Sequence, residues 1–387
     1  MNGSKLPGAQ DAEKSVLAFL KTGLEKRCFE AVMMSHRVPA GDGYAYVLIK
    51  DPALLEGASP LPPVIPVQGA KALSALTRWG PPKETILAVM HPCEIRAAVE
   101  LFKLKQASLD HIVFLSFDCP GVMPLSDYVK NPGEADRTYA AARRKWESAK
   151  MRPLCRICNE FVPAASDLHI GLLGAEEGSA WLFPVSPEGR RIMDSVGLET
   201  AVSSDAWERE AAERKTVREK ERQEAHQVSR DRVSGPDGLL AAFSSCINCH
   251  NCMRVCPVCY CRQCYFDSEA FKLPPENYVE RARKKGSLRL PADTLLFHLG
   301  RMSHMALSCV SCGTCEDACP MDIKVGQIFS LVADNAQKQL NYLPGRSRED
   351  PLPASVYQEE ELEGVEKPYV ETYSRTGDRD GAGSENQ

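Results

Sequence analysis

Two copies of one cysteine pattern dominate the chemistry open to this chain. The first runs Cys246-x2-Cys249-x2-Cys252-x3-Cys256 and ends on Pro257; the second runs Cys309-x2-Cys312-x2-Cys315-x3-Cys319 and ends on Pro320. Three thiolates at this spacing wrap three corners of a cubane [4Fe–4S] cluster, and the fourth, carried further along the chain, ligates the other cluster. The spacing therefore predicts one cluster on Cys246, Cys249, Cys252 and Cys319 and a second on Cys309, Cys312, Cys315 and Cys256, with each proline turning the chain away after the last ligand. Zinc competes for any single C-x2-C pair, but zinc ribbons use paired knuckles, not triple runs.

The chain has sixteen cysteines, so half remain. Cys93 (HPCEIRA), Cys119 (DCPG), and Cys155 with Cys158 (LCRIC) fall at the ends of predicted elements. Four thiolates at loop positions can build a third cubane. Alternatively, Cys93 and Cys119 are buried bystanders, and Cys155 and Cys158 bind zinc or nothing. Cys259, Cys261 and Cys264, in CPVCYCRQC, also have two readings: reduced, packed thiols beside a cluster, or a further metal site, zinc or iron–sulfur, completed from elsewhere. Cys28, beside Phe29, reads as a core residue. His250 lies between cluster ligands and either adjusts a potential or faces solvent, while His298 and His304 are spaced i,i+6 and do not share a helical face.

These thiols need elements to position them. Residues 13–24 (EKSVLAFLKTGL) put Val16, Leu17, Leu20 and Leu24 on one helical face. FEAVMM (29–34), YAYVLIK (44–50), TILAVM (85–90) and HIVFLSFD (111–118) read as strands, and SPLPPVIPV (59–67) is a proline-rich connection. HPCEIRAAVELFKL, with proline near its start, reads as a helix. Strand, helix and strand in that order describe a βαβ unit and hence an α/β domain. Cys93 then sits at a strand-to-helix turn and Cys119 just after a strand. WLFPVS (181–186) reads as a strand and PEGRRIMDSV as the start of a helix.

Residues 205–232 form a charged helical stretch with a capping-box pair, Asp205 and Glu208, and i,i+4 pairs Glu210–Arg214 and Lys220–Glu224. It reads as a solvated connector ending at SGPDG (234–238). From 239 to about 340 the cysteine motifs alternate with helical segments, including 292–309, which carries Leu295, Leu299, Met302 and Ala306. RARKK (281–285) is a solvated face or else a docking patch for an acidic partner. The predicted layout is an α/β domain over 1–203, a helical connector over 204–238, a mainly α-helical cysteine-rich domain over 239–343, and a polar tail over 344–387 that includes the acidic EEELEG (359–364).

The composition narrows the function classes. The formal net charge is −5, which argues against nucleic acid, including zinc-dependent nucleic-acid binding, and against an anionic membrane. MNGSKLPGAQDAEK lacks the apolar core of a signal peptide, and no run reaches the roughly 18–20 apolar residues of a membrane span. A cytoplasmic location is expected, where many cysteines signal metal instead of disulfides.

Two resemblances extend these readings. The 52 residues between Cys256 and Cys309 look largely helical, where small ferredoxins have a short hairpin. In this, residues 239–340 resemble the helical dicluster ferredoxin module of respiratory iron–sulfur subunits and heterodisulfide reductases. HPCEIRAAVELFKL, HIVFLSFDCPG and LCRICNEFVPAASDLHIGLLG together resemble the beta subunit of coenzyme F-420-reducing hydrogenase and formate dehydrogenase. In that family a PC(D/E/Q)xxA turn, a later cysteine and a CxxC-x-D/E-F…AD-I-x-x-G segment recur in this order. LEKRCFEAVMM and WLFPVSPEGRRIMDSVG fit its flanking elements, so the resemblance spans about residues 13–200. It implies a flavoprotein-like, FAD-binding α/β (α+β) domain with one [4Fe–4S] cluster, here on Cys93, Cys119, Cys155 and Cys158. The family's Gly-rich segment near the flavin has no counterpart in AEKSVLAFLKTG, and no G-x-G-x-x-G fingerprint occurs.

Iron–sulfur clusters pass single electrons, hydride carriers exchange pairs, and a flavin does both. The expected function is an iron–sulfur flavoprotein oxidoreductase subunit. It would link a soluble two-electron carrier, deazaflavin-type or else NAD(P)H or another protein's redox centre, through FAD and 4Fe–4S clusters to a formate dehydrogenase, hydrogenase or heterodisulfide-reductase-like partner in an anaerobe. The alternative is a flavin-free wiring subunit with no substrate of its own.

Overall fold

Alternate side chains along the central strands enter two different cores, and this alternation builds a sheet covered on both faces. A computed structural model describes residues 2–6, 11–162, 165–176, 178–269, 274–286 and 292–356. The strands are β1 (Asn2–Lys5), β2 (Ala31–Arg37), β3 (Tyr44–Ile49), β4 (Ile86–Val89), β5 (Ile112–Phe117), β6 (Leu168–Gly171), β7 (Trp181–Pro184) and β8 (Val202–Ser203). They form one sheet in the order β3-β2-β4-β5-β6-β7-β1-β8. The centre, β2-β4-β5-β6, is parallel; β3 at one side and β7, β1 and β8 at the other pair antiparallel.

The helices that cover and follow the sheet are α1 (Ala12–Glu25), α2 (Gly69–Leu76), α3 (Pro92–Lys103), α4 (Leu125–Tyr128), α5 (Pro132–Lys145), α6 (Pro153–Arg156), α7 (Pro187–Val196) and α8 (Asp205–Arg232). Val32, Met34, Leu87, Val89, Val113 and Leu115 pack on one face with Val16, Phe19 and Leu20 of α1 and Ile192 and Met193 of α7. Their sequence neighbours Ala31, Met33, Ile86, Ala88, Ile112 and Phe114 pack on the other face with α2 and α3. A period of two on strands covered on both sides gives this three-layer arrangement. The unit β4-α3-β5 is the βαβ expected from sequence. Cys28 lies buried in the first core, as expected.

The cysteine-rich segment carries α9 (Gly235–Phe243), α10 (Asn251–Arg254), α11 (Pro275–Lys285), α12 (Ala292–Met305), α13 (Thr314–Asp317) and α14 (Val325–Gln339). Met1–Arg348 is one compact unit, so this segment and the sheet are packed together. Val310 enters the sheet's second core, and Asp317 accepts from the Leu125 N–H (3.0 Å) and from Arg152 Nη2 (2.6 Å).

The charged helix α8 spans the residues expected, but it is not a freely solvated connector. Trp207, Arg218, Arg222, His226 and Ser229 form a buried row at i,i+3/i+4 spacing. At one end Trp207 Nε1 donates to the fully buried Asp118 (2.9 Å), just beyond β5. Further along, Arg218 donates to the Cys155 carbonyl, and Arg222 pairs with Asp334 of α14 (3.2 Å). Paired guanidinium groups tolerate burial, so a highly charged helix acts as a strut from the sheet to α14. The expected polar tail also begins later than 344. Arg96 Nε donates to the Pro344 carbonyl (2.9 Å), and Gly345 N–H donates to Glu100 (2.8 Å). EEELEG (359–364) lies outside the described residues.

Candidate metal centres

The two triple-cysteine runs adopt the same backbone shape. Asn248 and His250 have positive φ (56° and 60°), and so do their counterparts Ser311 and Gly313 (55° and 76°). Left-handed turns at matching places curl each run and feed the short helices α10 and α13. The turns aim backbone donors at sulfur: Asn248 N–H lies 3.4 Å from Cys246 Sγ, and Ser311 N–H points at Cys309.

One small cavity is lined by Cys246, Cys249, Cys252 and Cys319, with Ile247, Phe297, Pro320 and Val325 around them. A second is lined by Cys256, Cys309, Cys312 and Cys315, with Leu154, Pro257, Met305 and Phe329. Each cavity thus takes three cysteines from one run and the last from the other, the crossed grouping expected from the spacing. Among the described residues, no three His, Cys, Asp or Glu side chains converge as around a single ion. A zinc ion draws its sulfurs to about 2.3 Å, whereas a cubane holds one thiolate per iron corner and keeps them further apart. Four thiols in a mostly apolar shell suit the larger guest.

Arg301 lies between the two cavities. It is 1% exposed, donates from Nη1 to Cys252 Sγ (3.1 Å), and stacks over Phe329 (4.8 Å). Burial pushes the Cys252 thiol up to about 11 and raises Cys256 and Cys315 further, while the Arg301 charge opposes the shift at all three. Ligation requires thiolates, so this buried cation favours the charged form that a cluster demands. His298 Nε2 stands 3.3 Å from Cys246 Sγ, its own pKa pushed down to about 3 by burial and by the charges of Arg301 and His250. His304 is exposed. His250 is buried and stacked on Phe297 (4.3 Å), which decides against the solvent-facing reading.

The N-terminal thiols gather at the carboxyl ends of parallel strands. Cys93 follows β4 in the first turn of α3, held by the capping pair His91–Glu94. Cys119 follows β5, and its N–H donates to the Phe161 carbonyl (2.9 Å). Gly121, at φ +106°, lets α6 approach, since a Cβ there would stand 2.9 Å from the Cys155 Cβ. Burial raises the Cys93 and Cys119 thiols well above the usual range. Repulsion adds to this, at Cys119 from Cys155 and Cys158, and at Cys93 from Cys312, Glu94, Cys119 and Cys155. The four thiols therefore share one neighbourhood, which borders the second cavity through Cys312 and Leu154. Beside them, Arg152 keeps Nε and Nη1 buried without a partner among the described residues. A buried cation with idle donors suits an anionic cluster.

A cleft of about 360 Å³ adjoins this set. Arg37, Tyr44, Tyr139, Arg143, Arg144 and Trp146 are among its walls. Tyr139 belongs to both places: its hydroxyl donates to the Gly121 carbonyl (3.2 Å), and its pKa is raised first by burial and also by Cys119 and Cys155. Arg37 is paired with Asp136, and Arg143 with Glu13. The surplus thiols lie elsewhere. Cys259 and Cys264 are half-buried, Cys261 is exposed, and all three line an open groove. Sequence reasoning missed Arg301, Arg152 and Tyr139. A lone arginine or tyrosine carries no local signal of burial; only the run of cysteines around Arg301 could have drawn attention to it.

Fold and sites together define an iron–sulfur electron-transfer protein. Residues 241–323 match the 4Fe-4S dicluster domain family. The resemblance expected for the N-terminal part is borne out by curated relatives. The F420-dependent formate dehydrogenase subunit beta of Methanocaldococcus jannaschii is 27% identical over 66% of this chain and 72% of its own length. The F420-dependent formate dehydrogenase 1 subunit beta of Methanococcus maripaludis is 28% identical over 69% of this chain and 74% of its own length. Among solved structures, a chain of the F420-reducing [NiFe] hydrogenase complex from Methanosarcina barkeri aligns with a TM-score of 0.41 and 13% identity, over 61% of this chain and 93% of that one. No described helix is long and apolar enough to cross a membrane.

Proposed function

We propose that this chain is an electron-transfer subunit of a larger oxidoreductase, with three 4Fe–4S clusters strung between a two-electron site and a partner. Cys93, Cys119, Cys155 and Cys158 would hold the first cluster, Cys256, Cys309, Cys312 and Cys315 the second, and Cys246, Cys249, Cys252 and Cys319 the third. The observation that carries this reading is continuity. Tyr139 reaches from the cleft to Gly121 beside Cys119, Cys93 and Cys312 pack against the same buried cluster, and Arg301 lies among Cys252, Cys256 and Cys315. Each neighbour in the series is thus in touch with the next, as one-electron carriers require.

The cleft is the candidate place for FAD, which supplies the exchange between electron pairs and single electrons. Arg37, Arg143 and Arg144 would face the phosphates of a flavin or the anionic groups of a deazaflavin-type carrier, and Tyr44, Tyr139 and Trp146 offer ring faces. The names of the relatives support a deazaflavin as carrier and a formate-oxidising partner; a hydrogenase-type partner and a cytoplasmic location remain part of the proposal. In domain terms, 1–203 would be the flavoprotein-like part, 204–238 the connector and 239–343 the dicluster module.

A flavin-free wiring subunit is the second reading. It is favoured by the missing Gly-rich segment and by the Glu13–Arg143 and Arg37–Asp136 pairs, which neutralise two cations of the cleft. Anaerobic purification with an iron count and acid release of flavin separates the two. About 12 iron atoms with stoichiometric flavin is the expected result, and the same iron without flavin selects the wiring subunit. About 8 iron atoms removes the N-terminal cluster, and a colourless protein overturns both readings.

A further inference from the structure

A second open groove, about 730 Å³ in volume, lies apart from the cleft. One wall comes from the C-terminal ends of α2 and α3 with the turns that follow them; the other is the stretch 253–267. Lys71, Arg78, Lys105, Arg254 and Arg262 line it against a single carboxylate, Asp267, in a chain whose net charge is −5. Arg254 pairs with Asp267 at 3.6 Å, but Arg78, Lys105 and Arg262 are exposed and have no carboxylate partner among the described residues. A cationic patch against an acidic background focuses potential and speeds the encounter with an oppositely charged protein.

The rim adds a second observation. Trp79 is 88% exposed, and the Arg78 guanidinium stacks over its ring at 5.2 Å. Tyr260 is exposed on the opposite wall. An indole held out in water contributes little to the fold, whereas Trp, Tyr and Arg together are the composition of interface hot spots. The floor leads inward. Met253 and Pro257 line the groove, and each directly follows a cysteine, Cys252 or Cys256, of a different thiol set.

We propose that this groove docks a small acidic electron-carrier protein whose redox centre is ringed by carboxylates, and that electrons cross the groove floor at Cys252 and Cys256. The proposal rests on the electron-transfer reading above. One electron passes per encounter: the carrier's centre loses it and the adjoining cluster gains it, or the reverse, and no bond or proton changes place.

The test uses the full chain, purified anaerobically with its iron, and an acidic two-cluster ferredoxin as probe. Binding is measured by titration calorimetry across a range of salt, and cluster reduction by titanium(III) citrate is followed in parallel. Wild type should bind the ferredoxin, more weakly as salt rises. R78E/K105E/R262E should weaken binding about tenfold or more and flatten the salt dependence, and W79A should weaken it comparably. Neither variant should change reduction by titanium(III) citrate. No binding by wild type, unchanged affinity in both variants, or a loss seen instead with R281E/R283E/K284E on α11 would each overturn the docking site. If the wild-type clusters accept no electrons from titanium(III) citrate, the electron-transfer reading fails and takes this proposal with it. If they do accept them while the groove variants bind normally, only the docking site fails.

Discussion

Arg301 donates to the sulfur of Cys252 at 3.1 Å while fully enclosed by Phe297, Phe329 and Met305. A buried cation beside a cluster ligand stabilises the more negative, reduced cluster. Arg301→Gln keeps polarity but removes the charge. It should lower the potential of the adjoining cluster by about 60 mV or more, the one-electron equivalent of about 1.4 kcal/mol. A redox titration followed by electron paramagnetic resonance reads this directly; unchanged potentials would mean that Arg301 only fills space.

Gly121 lets α6 approach the sheet. A side chain at φ +106° is strained in itself, and its Cβ would meet Cys155 at 2.9 Å and Met151 at 3.1 Å. Gly121→Val should displace Cys155 and cost the N-terminal cluster, taking iron from about 12 to about 8 atoms per chain. The spectrum of the other two clusters should persist.

The crossed thiol sets predict an unexpected pairing of phenotypes. Cys319→Ala should perturb the same cluster as Cys249→Ala, although the two lie 70 positions apart. It should leave the cluster disturbed by Cys312→Ala intact. Mössbauer spectra of the three variants test this, and loss of the Cys312 component in Cys319→Ala would refute the crossing.

Cys259, Cys261 and Cys264 line an open groove instead of an enclosed cavity, and one of them is exposed. Changing all three to serine should therefore leave both iron and zinc content at wild-type levels by metal analysis. A drop in either would restore the further metal site.

Asp334 faces Arg222, His226 and Lys338. Burial raises its pKa, but hydrogen bonds from His226 and Lys338 and the Arg222 charge outweigh burial and hold it below the ordinary carboxylate range. A group depressed on folding contributes stability that is present above the unfolded pKa, about 3.9 for Asp. That contribution is lost as pH falls toward the native value. Asp334→Asn leaves the buried Arg222 without its counter-charge and should cost about 3 kcal/mol. Thermal melts at neutral pH should show this as a lower midpoint, with the gap from wild type narrowing in acid.

Much of this molecule is written locally. The triple-cysteine runs needed only their spacing, because three thiolates on one turn of backbone are a short-range property. The central strands β2, β4 and β5 were legible because apolar and β-branched residues cluster in short runs, and α8 because its i,i+4 charge pairs are local, although its N-cap is Ser204 and not the expected Asp205. The sequence placed Cys93 at a strand-to-helix turn and Cys119 after a strand, which is where β4 and β5 deliver them. Strands β1, β6 and β8 went unread, being short and fixed by their partners.

By itself, then, the sequence pointed to 4Fe–4S chemistry, to the crossed thiol sets that line two cavities, and to the βαβ core. Tertiary structure alone decided that Cys93 and Cys312 pack against one core, that Arg301 lies between two thiol sets, that Tyr139 reaches from a cleft to Gly121 beside Cys119, and that a charged helix buries Arg218, Arg222 and His226. The physical reason is range. Spacing encodes what neighbouring residues can wrap, whereas the burial of a lone arginine or tyrosine depends on which distant elements close over it, and no local periodicity records that.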